Sequence, residues 1–194
     1  INVPEHIEET IYQLGKGYAF IRQNTETNFL FNGNNNSDNN SFDNYLKRLG
    51  YKFKNEDSDW GGYSILKNKK ICLIMDTGSS PNSKYSRDYQ AGALSFEIIS
   101  SGKKLISNCG YHKKGNTKIT ELSKSSAAQS TLIIDDNSSC KFKKIEDYWL
   151  LKKGLKILKK NKIYKKDYWK IIASHDGYLK KYDTIHEREI EFFP

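Results

Sequence analysis

Three cysteines, Cys72, Cys109 and Cys140, are too few in 194 residues for a disulfide framework. At most one pair bridges, and no CxxC spacing marks a zinc site. No apolar run reaches the roughly 18 residues that a membrane helix needs, and the first residues lack the charged-then-apolar form of a signal peptide. The chain has no initiating methionine either. It opens on Ile1 and stops at Pro194 directly after the alternating Ile190-Glu191-Phe192, so it reads as a fragment of a longer protein, and the missing leader says nothing about secretion. Gly15-Lys16-Gly17 is too short for a phosphate loop, and there is no Gly-x-Ser-x-Gly.

Acidic residues are outnumbered, 23 against 32 lysines and arginines, giving a formal charge of +9 and a pI near 9.2. Such a field favours polyanionic partners, among them uronic-acid polysaccharide, nucleic acid and anionic membrane. The basic residues spread along the chain, and abundant asparagine, lysine and isoleucine fit a genome-wide bias as well as a ligand. At this length the chain holds one full domain with a core and a remnant of another.

The organisation changes twice along the chain. Ile7, Ile11, Leu14 and Tyr18 recur at three- and four-residue spacings, which predicts an amphipathic helix over Glu5–Tyr18. Phe29 to Gly33 reads as a short strand, and Asn34–Asn40 has the composition of a surface loop. Ser41 is placed to cap a helix that runs to Leu49 and ends at Gly50. From Gly62 the period becomes two. Tyr63–Leu66 and Ile71–Met75 flank a polar turn, Leu94–Ile99 and Lys104–Ser107 flank Ser100-Ser101-Gly102, Thr131–Ile134 ends at Asp135-Asp136-Asn137, and Cys140-Lys141-Phe142 opens the next strand. Short strands at about ten-residue intervals predict a mainly β chain, an antiparallel β-sandwich. Leu94, Phe96 and Ile98 alternate with Ser95 and Glu97, which predicts one buried face and one face free for polar chemistry.

Six blocks carry a resemblance: Gly62-Tyr63-Ser64-Ile65-Leu66, Leu73-Ile74-Met75-Asp76-Thr77-Gly78, Leu94-Ser95-Phe96-Glu97, Leu105-Ile106-Ser107-Asn108-Cys109-Gly110, Ala127-Ala128-Gln129-Ser130-Thr131-Leu132 and Ser174-His175-Asp176-Gly177-Tyr178. In this order they resemble the C-terminal β-sandwich of heparinase II/III-like proteins, a family of polysaccharide lyases. The resemblance implies three parts. Residues 1–26 would be the end of a helical α/α toroid, 27–61 a connecting segment with the Asn-rich loop, and 62–194 the sandwich. It further implies β-elimination on an acidic, uronic-acid polysaccharide in the periplasm or cell envelope. The carboxylate at C5 is neutralised, a base removes the C5 proton, and an acid protonates the departing oxygen. In the family a tyrosine and an asparagine or histidine on the toroid supply much of that machinery. None of it lies in this chain, which alone should be inert.

The family's His-x-His-x-Asp pattern before Leu-Ser-Phe falls on Asp88, Gln90 and Gly92. Some members bind zinc at positions that correspond to Gln90, Asn108 and Gln129. Neutral amides are poor zinc ligands, so no metal and no other cofactor is expected. The three amides form either a hydrogen-bonding cluster or a set of ordinary polar residues. Asp88 and His175 are the catalytic candidates, and Arg87, Gln90, Asn108, Gln129 and His112 the substrate-facing ones. His175 also reads as a residue bonded to the backbone of an Asp176-Gly177 turn, and a carboxylate at Asp88 would repel a bound uronate unless protonated or paired with Arg87. Finally, Lys141–Lys170 interleaves lysines with Tyr148, Trp149, Tyr164, Tyr168 and Trp169. That suits nucleic acid, sugar rings or a solvated face. The absence of a Gly-Phe-Gly-Phe run or a zinc finger counts against nucleic acid.

Overall fold

A computed structural model of the protein describes residues 4–22, 28–34, 40–53, 58–112, 117–165 and 168–193. Helix α1 (Glu5–Ile21) follows Pro4, and Glu5 and Glu8 in its first turn complement the helix dipole. The stripe expected to be buried faces outward instead: Ile7, Ile11 and Leu14 are exposed, and the helix buries Gly15 and Phe20. The reason is steric. The Phe53 ring lies where a Cβ on Gly15 would stand, 2.2 Å away, so only glycine allows this contact. Helix α2 (Asn40–Arg48) starts one residue before the expected cap. It ends as expected at Gly50, whose φ of +79° lets Tyr51 N–H reach Leu46 C=O and Gly50 N–H reach Lys47 C=O. Asp43 of α2 accepts from Tyr18 and Arg22 and ties the helices together.

The segment 28–34 is not the strand its composition predicts. Phe29, Leu30 and Phe31 are buried, yet their backbone bonds to side chains rather than to a neighbouring strand. Of the Asn34–Asn40 tract, residues 35–39 lie outside the described residues.

Ten strands follow among the described residues: β1 (Asp59–Trp60), β2 (Tyr63–Lys67), β3 (Ile71–Asp76), β4 (Phe96–Ser100), β5 (Lys103–Ile106), β6 (Lys141–Ile145), β7 (Tyr148–Lys153), β8 (Ile157–Lys165), β9 (Tyr168–His175) and β10 (His186–Phe192). Helices α3 (Thr117–Lys124) and α4 (Leu179–Tyr182) sit between them. The strands form antiparallel sheets of order β1-β2-β3-β4-β5, β10-β9-β8 and β6-β7. The chain is thus helical at its N-terminal end and built of antiparallel sheets thereafter. Between β2 and β3, Asn68 Oδ1 accepts from Lys70 N–H and Ile71 N–H and closes the predicted turn.

Both faces of the five-stranded sheet are covered. Leu66, Leu73, Met75 and Leu94 pack with Trp169, Ile171 and Ala173 of the three-stranded sheet. On the opposite face Ile65, Ile74 and Ile99 pack under Phe20, Phe29 and Phe31. Double burial explains the continuous apolar run of β3, since a strand covered on both sides need not alternate. A third cluster joins Tyr89, Ala91 and Ala93 to Cys140, Leu151 and Leu155.

Two sequence expectations for the sheets change. Strand β4 begins at Phe96 because Leu94 adopts a left-handed φ of +58° and Ser95 N–H turns back to Gly92 C=O. Thr131–Ile134 is not a strand: only an Ile134–Asn137 bridge forms, and side chains take its carbonyls, Tyr178 Oη at Leu132 and Tyr182 Oη at Ile134.

The face of β4 expected to be open is also closed. Glu97, with no exposed surface, lies under the 28–31 segment. Its Oε1 accepts from Asn108 N–H at 2.8 Å and Ser107 Oγ at 3.2 Å, and its Oε2 from Leu30 N–H at 3.2 Å and Lys104 Nζ at 3.1 Å. One carboxylate thereby joins β4, β5, the loop after it and the N-terminal segment. Replacing it strands two amide hydrogens and an ammonium, so Glu97→Ala should lower stability by about 3–5 kcal/mol. Glu97→Gln should lower it by about half that, because one oxygen remains to accept. Urea unfolding measures both, and equal losses would deny that the charge matters.

Candidate functional site

The positions picked out by the resemblance lie where four segments meet: 32–34, 86–92, 108–112 and 123–130. Gln90 is almost fully buried and uses its whole amide. Nε2 donates to Gly110 C=O at 3.1 Å and Ser123 C=O at 2.5 Å, while Oε1 accepts from Gly33 N–H at 3.2 Å. Gln129 Nε2 donates to the same Ser123 carbonyl at 3.1 Å. Asn108 Oδ1 accepts from Ser130 N–H at 2.8 Å and Ser130 Oγ at 3.1 Å. Gln90 and Gln129 thus share one carbonyl while Asn108 holds the adjacent Ser130, and together they make a node of amides bonded to backbone.

Gly92 lies inside this node. A Cβ there would stand 3.1 Å from Ser95 Oγ and 3.5 Å from Gln129 Cγ, so the aspartate of the family pattern would crowd both. Ser95 Oγ and Asn108 Nδ2 are buried without a partner among the described residues.

This donor set does not suit zinc. Amide oxygens are weak ligands for it, and those of Gln90 and Asn108 already accept hydrogen bonds from the protein.

Lys124, which the sequence hides among many lysines, is the anchor beside the node. Its Nζ, 1% of the residue being exposed, donates to Arg87 C=O and Tyr89 C=O at 2.7 Å each and lies 5.0 Å from the ring centres of Tyr111 and Phe142. Carbonyl dipoles and π faces replace its hydration. The lysine so holds the 86–90 turn that presents Arg87 and Asp88.

Arg87 is exposed and stacks over Tyr148, its guanidinium 4.2 Å from the ring centre. Asp88 is half-buried beside Gly33, whose φ of +91° and close approach (2.7 Å from a Cβ to Asp88 Cβ) both call for glycine. Burial, and after it the charge of Asp88, raises the Tyr111 phenol above its ordinary pKa. His112 is exposed, and its N–H reaches Ser123 Oγ at 3.4 Å. A cleft of about 580 Å³ runs between Cys109–His112 and Ile119, Leu122, Ser123 and Ala127. Arg87, Asp88 and His112 thus stay at the surface, while Gln90, Asn108 and Gln129 are withdrawn beneath it.

His175 is elsewhere, in a closed cluster that shares no contact with the amides. Gly177 N–H donates to its Nδ1 at 3.0 Å, and its Nε2 lies 3.0 Å from His186 Nδ1. The acceptor role of Nδ1 places the His175 proton on Nε2, so His175 donates to His186. The backbone-bonded reading of His175 is the one that this geometry supports. Beside the pair, Arg188 Nη1 donates to Leu94 C=O and Ser130 C=O at 2.8 and 2.6 Å, holding the left-handed Leu94 in place.

Burial lowers both imidazoles to about 4, with Arg188 adding repulsion to each and His175 to His186. In contrast, burial raises Asp76 to about 7 against hydrogen bonds from Gly78 N–H and Asn32 Nδ2.

These shifts have opposite consequences. A histidine with a depressed folded pKa binds more protons unfolded, so its stabilising contribution is present above about pH 6.5 and is lost as pH falls toward about 4. Asp76, with a raised folded pKa, stabilises the fold at low pH and loses that contribution as pH rises through about 7. The histidine effect is therefore the difference between proteins. Between pH 6.5 and 4.5 wild type should lose stability faster than His175→Asn/His186→Asn, by about 1.4 kcal/mol per pH unit per imidazole. Parallel urea-midpoint curves would show that the pair does not titrate with folding.

No curated protein matches the chain. Solved structures do, over nearly all of it. A heparinase III crystal structure has 16% identity and a TM-score of 0.59, covering 95% of this chain. A heparinase III gene product, BT4657, has 16% identity and a TM-score of 0.71, covering 98%. The heparan sulfate lyase HepC of Pedobacter heparinus has 13% identity and a TM-score of 0.65, also covering 98%. The chain spans 31% of the length of each. At such identities the likeness establishes the fold. The family model for the heparinase II/III-like C-terminal region matches residues 55–194, and by that match over more than half of its length this chain belongs to the heparinase II/III-like family.

Proposed function

We propose that the chain is the sheet-rich C-terminal part of a polysaccharide lyase that cleaves an acidic, uronic-acid-containing polymer by β-elimination in the periplasm or cell envelope. The observation that carries this reading is the family match over residues 55–194, joined to a fold shared with a heparan sulfate lyase. In it residues 62–194 act as the β-sandwich and α1 as the end of a helical toroid. The outward Ile7, Ile11, Tyr12 and Leu14 of α1 support the latter, since such a stripe is normally covered.

This part's share of the work is to face the polymer. Arg87 offers a cation to a carboxylate, and His112 and Tyr111 offer hydrogen-bonding groups at the cleft. The base that removes the C5 proton and the acid that protonates the leaving oxygen come from outside these 194 residues.

A second reading, a non-catalytic carbohydrate-binding module, draws on one observation: the amides at the family's histidine and metal positions are consumed internally. Whole protein carrying this chain, incubated with uronate polymers, should raise the ultraviolet absorbance as an unsaturated uronate forms. No rise on any polymer at any pH would defeat the lyase reading, and retention on the same polymers would then favour the module. Arg87→Ala should raise KM about tenfold and leave the fold intact. An unchanged KM would remove Arg87 from the polymer's path.

We also infer that the amide node works without metal. Gln90→Ala leaves Gly33 N–H, Gly110 C=O and Ser123 C=O short of a partner and should destabilise by about 2–4 kcal/mol. Neither a chelator nor added Zn²⁺ should shift the wild-type melting temperature, and a zinc-dependent rise would overturn metal independence.

A further inference from the structure

The lysine-rich stretch divides sharply by the company its lysines keep. On β8 and β9, Lys159 meets Glu187, Lys160 and Lys162 meet Asp59, and Lys170 meets Glu189 and Glu191. Only Lys165, at the end of β8, has no carboxylate among the described residues. On the β6–β7 hairpin the opposite holds. Lys141, Lys143, Lys144, Lys152 and Lys153 form no ion pair among the described residues, and all but the partly covered Lys153 are exposed. The hairpin's own acids, Glu146 and Asp147, sit at its tip.

Aromatic rings lie beside these cations. Cross-strand partners share a face of a β-ribbon, so Lys143 and Ile145 stand on the same side as Leu150 and Tyr148. Tyr148 is 42% exposed and carries Arg87 over its ring. The 83–85 turn runs along β7 and adds Tyr85, 70% exposed, with Lys84 Nζ 4.8 Å from its ring centre.

An isolated two-stranded ribbon is marginal in water, but this one is fixed. Leu151 N–H donates to Ser86 Oγ and Ser83 Oγ donates to Leu151 C=O, each at 2.8 Å, while Leu151 and Phe142 enter the third apolar cluster. The surface is therefore presented in one geometry before any ligand arrives, which limits the ordering that binding requires.

We propose that the β6–β7 hairpin with the 83–85 turn is a second, non-catalytic binding surface for an anionic polysaccharide chain. The proposal rests on the polysaccharide reading above and adds a surface to it. Unpaired ammonium groups take the carboxylates or sulfates, and the exposed rings of Tyr148 and Tyr85 take the C–H faces of sugar rings. Glu146 and Asp147 accept hydrogen bonds from sugar hydroxyls. These two carboxylates favour a sugar over single-stranded DNA, which has no hydroxyls along its chain to offer them.

The test compares two triple charge reversals of equal size. Lys141→Glu/Lys143→Glu/Lys144→Glu alters the hairpin. Lys69→Glu/Lys70→Glu/Lys103→Glu alters exposed turns of the five-stranded sheet. Binding to heparin, polygalacturonate, neutral dextran and single-stranded DNA is read by calorimetry at low and moderate salt, with circular dichroism confirming the fold of each protein. Heparin and polygalacturonate should bind wild type, dextran should not, and the hairpin variant should bind about tenfold or more weakly. The control variant should lose about twofold. Tyr148→Ala, which keeps every lysine, should also weaken binding to both acidic polymers.

Equal losses in the two triple variants would overturn the proposal in favour of diffuse charge. DNA binding as tight as heparin and equally hairpin-dependent would reassign the surface to nucleic acid, and no binding to either acidic polymer would remove it. Ultraviolet cleavage assays on the whole protein keep the two readings apart. Cleavage with hairpin-independent binding sinks only the second surface, and hairpin-dependent binding without cleavage sinks only the lyase.

Discussion

A carboxylate with no exposed surface organises the N-terminal half of this protein's sheet region. Glu97 lies on the face of β4 that the 28–31 segment covers, and its four hydrogen bonds reach Leu30, Lys104, Ser107 and Asn108. A buried charge is tolerated only when its lone pairs are satisfied, so these four groups must be in place together. That requirement draws the N-terminal segment onto the sheet, which lets Phe29 and Phe31 cover Ile65, Ile74 and Ile99. It also starts the loop at Asn108 in the direction that brings Asn108 Oδ1 to Ser130. The amide node is downstream of the carboxylate.

The node is a set of side chains holding backbone. Gln90, Asn108 and Gln129 connect Gly33, Gly110, Ser123 and Ser130 through protein hydrogen bonds. Lys124 performs a parallel task beneath the adjacent turn, where its ammonium gathers the carbonyls of Arg87 and Tyr89. Both arrangements hold loops by buried polar contacts. Their consequence for function is that Arg87 and Asp88 are presented at the surface on a rigid support.

Much of the sheet was legible in the chain. The β2–β3 and β4–β5 hairpins follow from β-forming runs on either side of Asn68 and Ser101-Gly102, because turn chemistry and apolar runs are local signals. The order of the six blocks carried the family, later matched over residues 55–194. What misled were segments whose backbone bonds to side chains far away in sequence. Phe29–Phe31 has strand composition but gives its N–H to Glu97, and Thr131–Ile134 gives its carbonyls to Tyr178 and Tyr182. Lys124 could not be singled out, since nothing local separates a caged lysine from a solvated one.

By itself, then, the sequence determined the helical start, the antiparallel hairpins, the family and the candidate site positions, because each is written in residue type and short-range spacing. Tertiary structure alone decided which of those residues meet water. Gln90, Asn108 and Gln129 turn inward, Arg87 and His112 stay out, and His175 is sealed against His186. It also decided which lysines are neutralised: Lys159, Lys160, Lys162 and Lys170 of β8 and β9 meet carboxylates, and those of β6–β7 meet none among the described residues. The physical reason is common to both: burial and charge pairing are set by partners brought together over long separations, and no local pattern encodes which partner arrives.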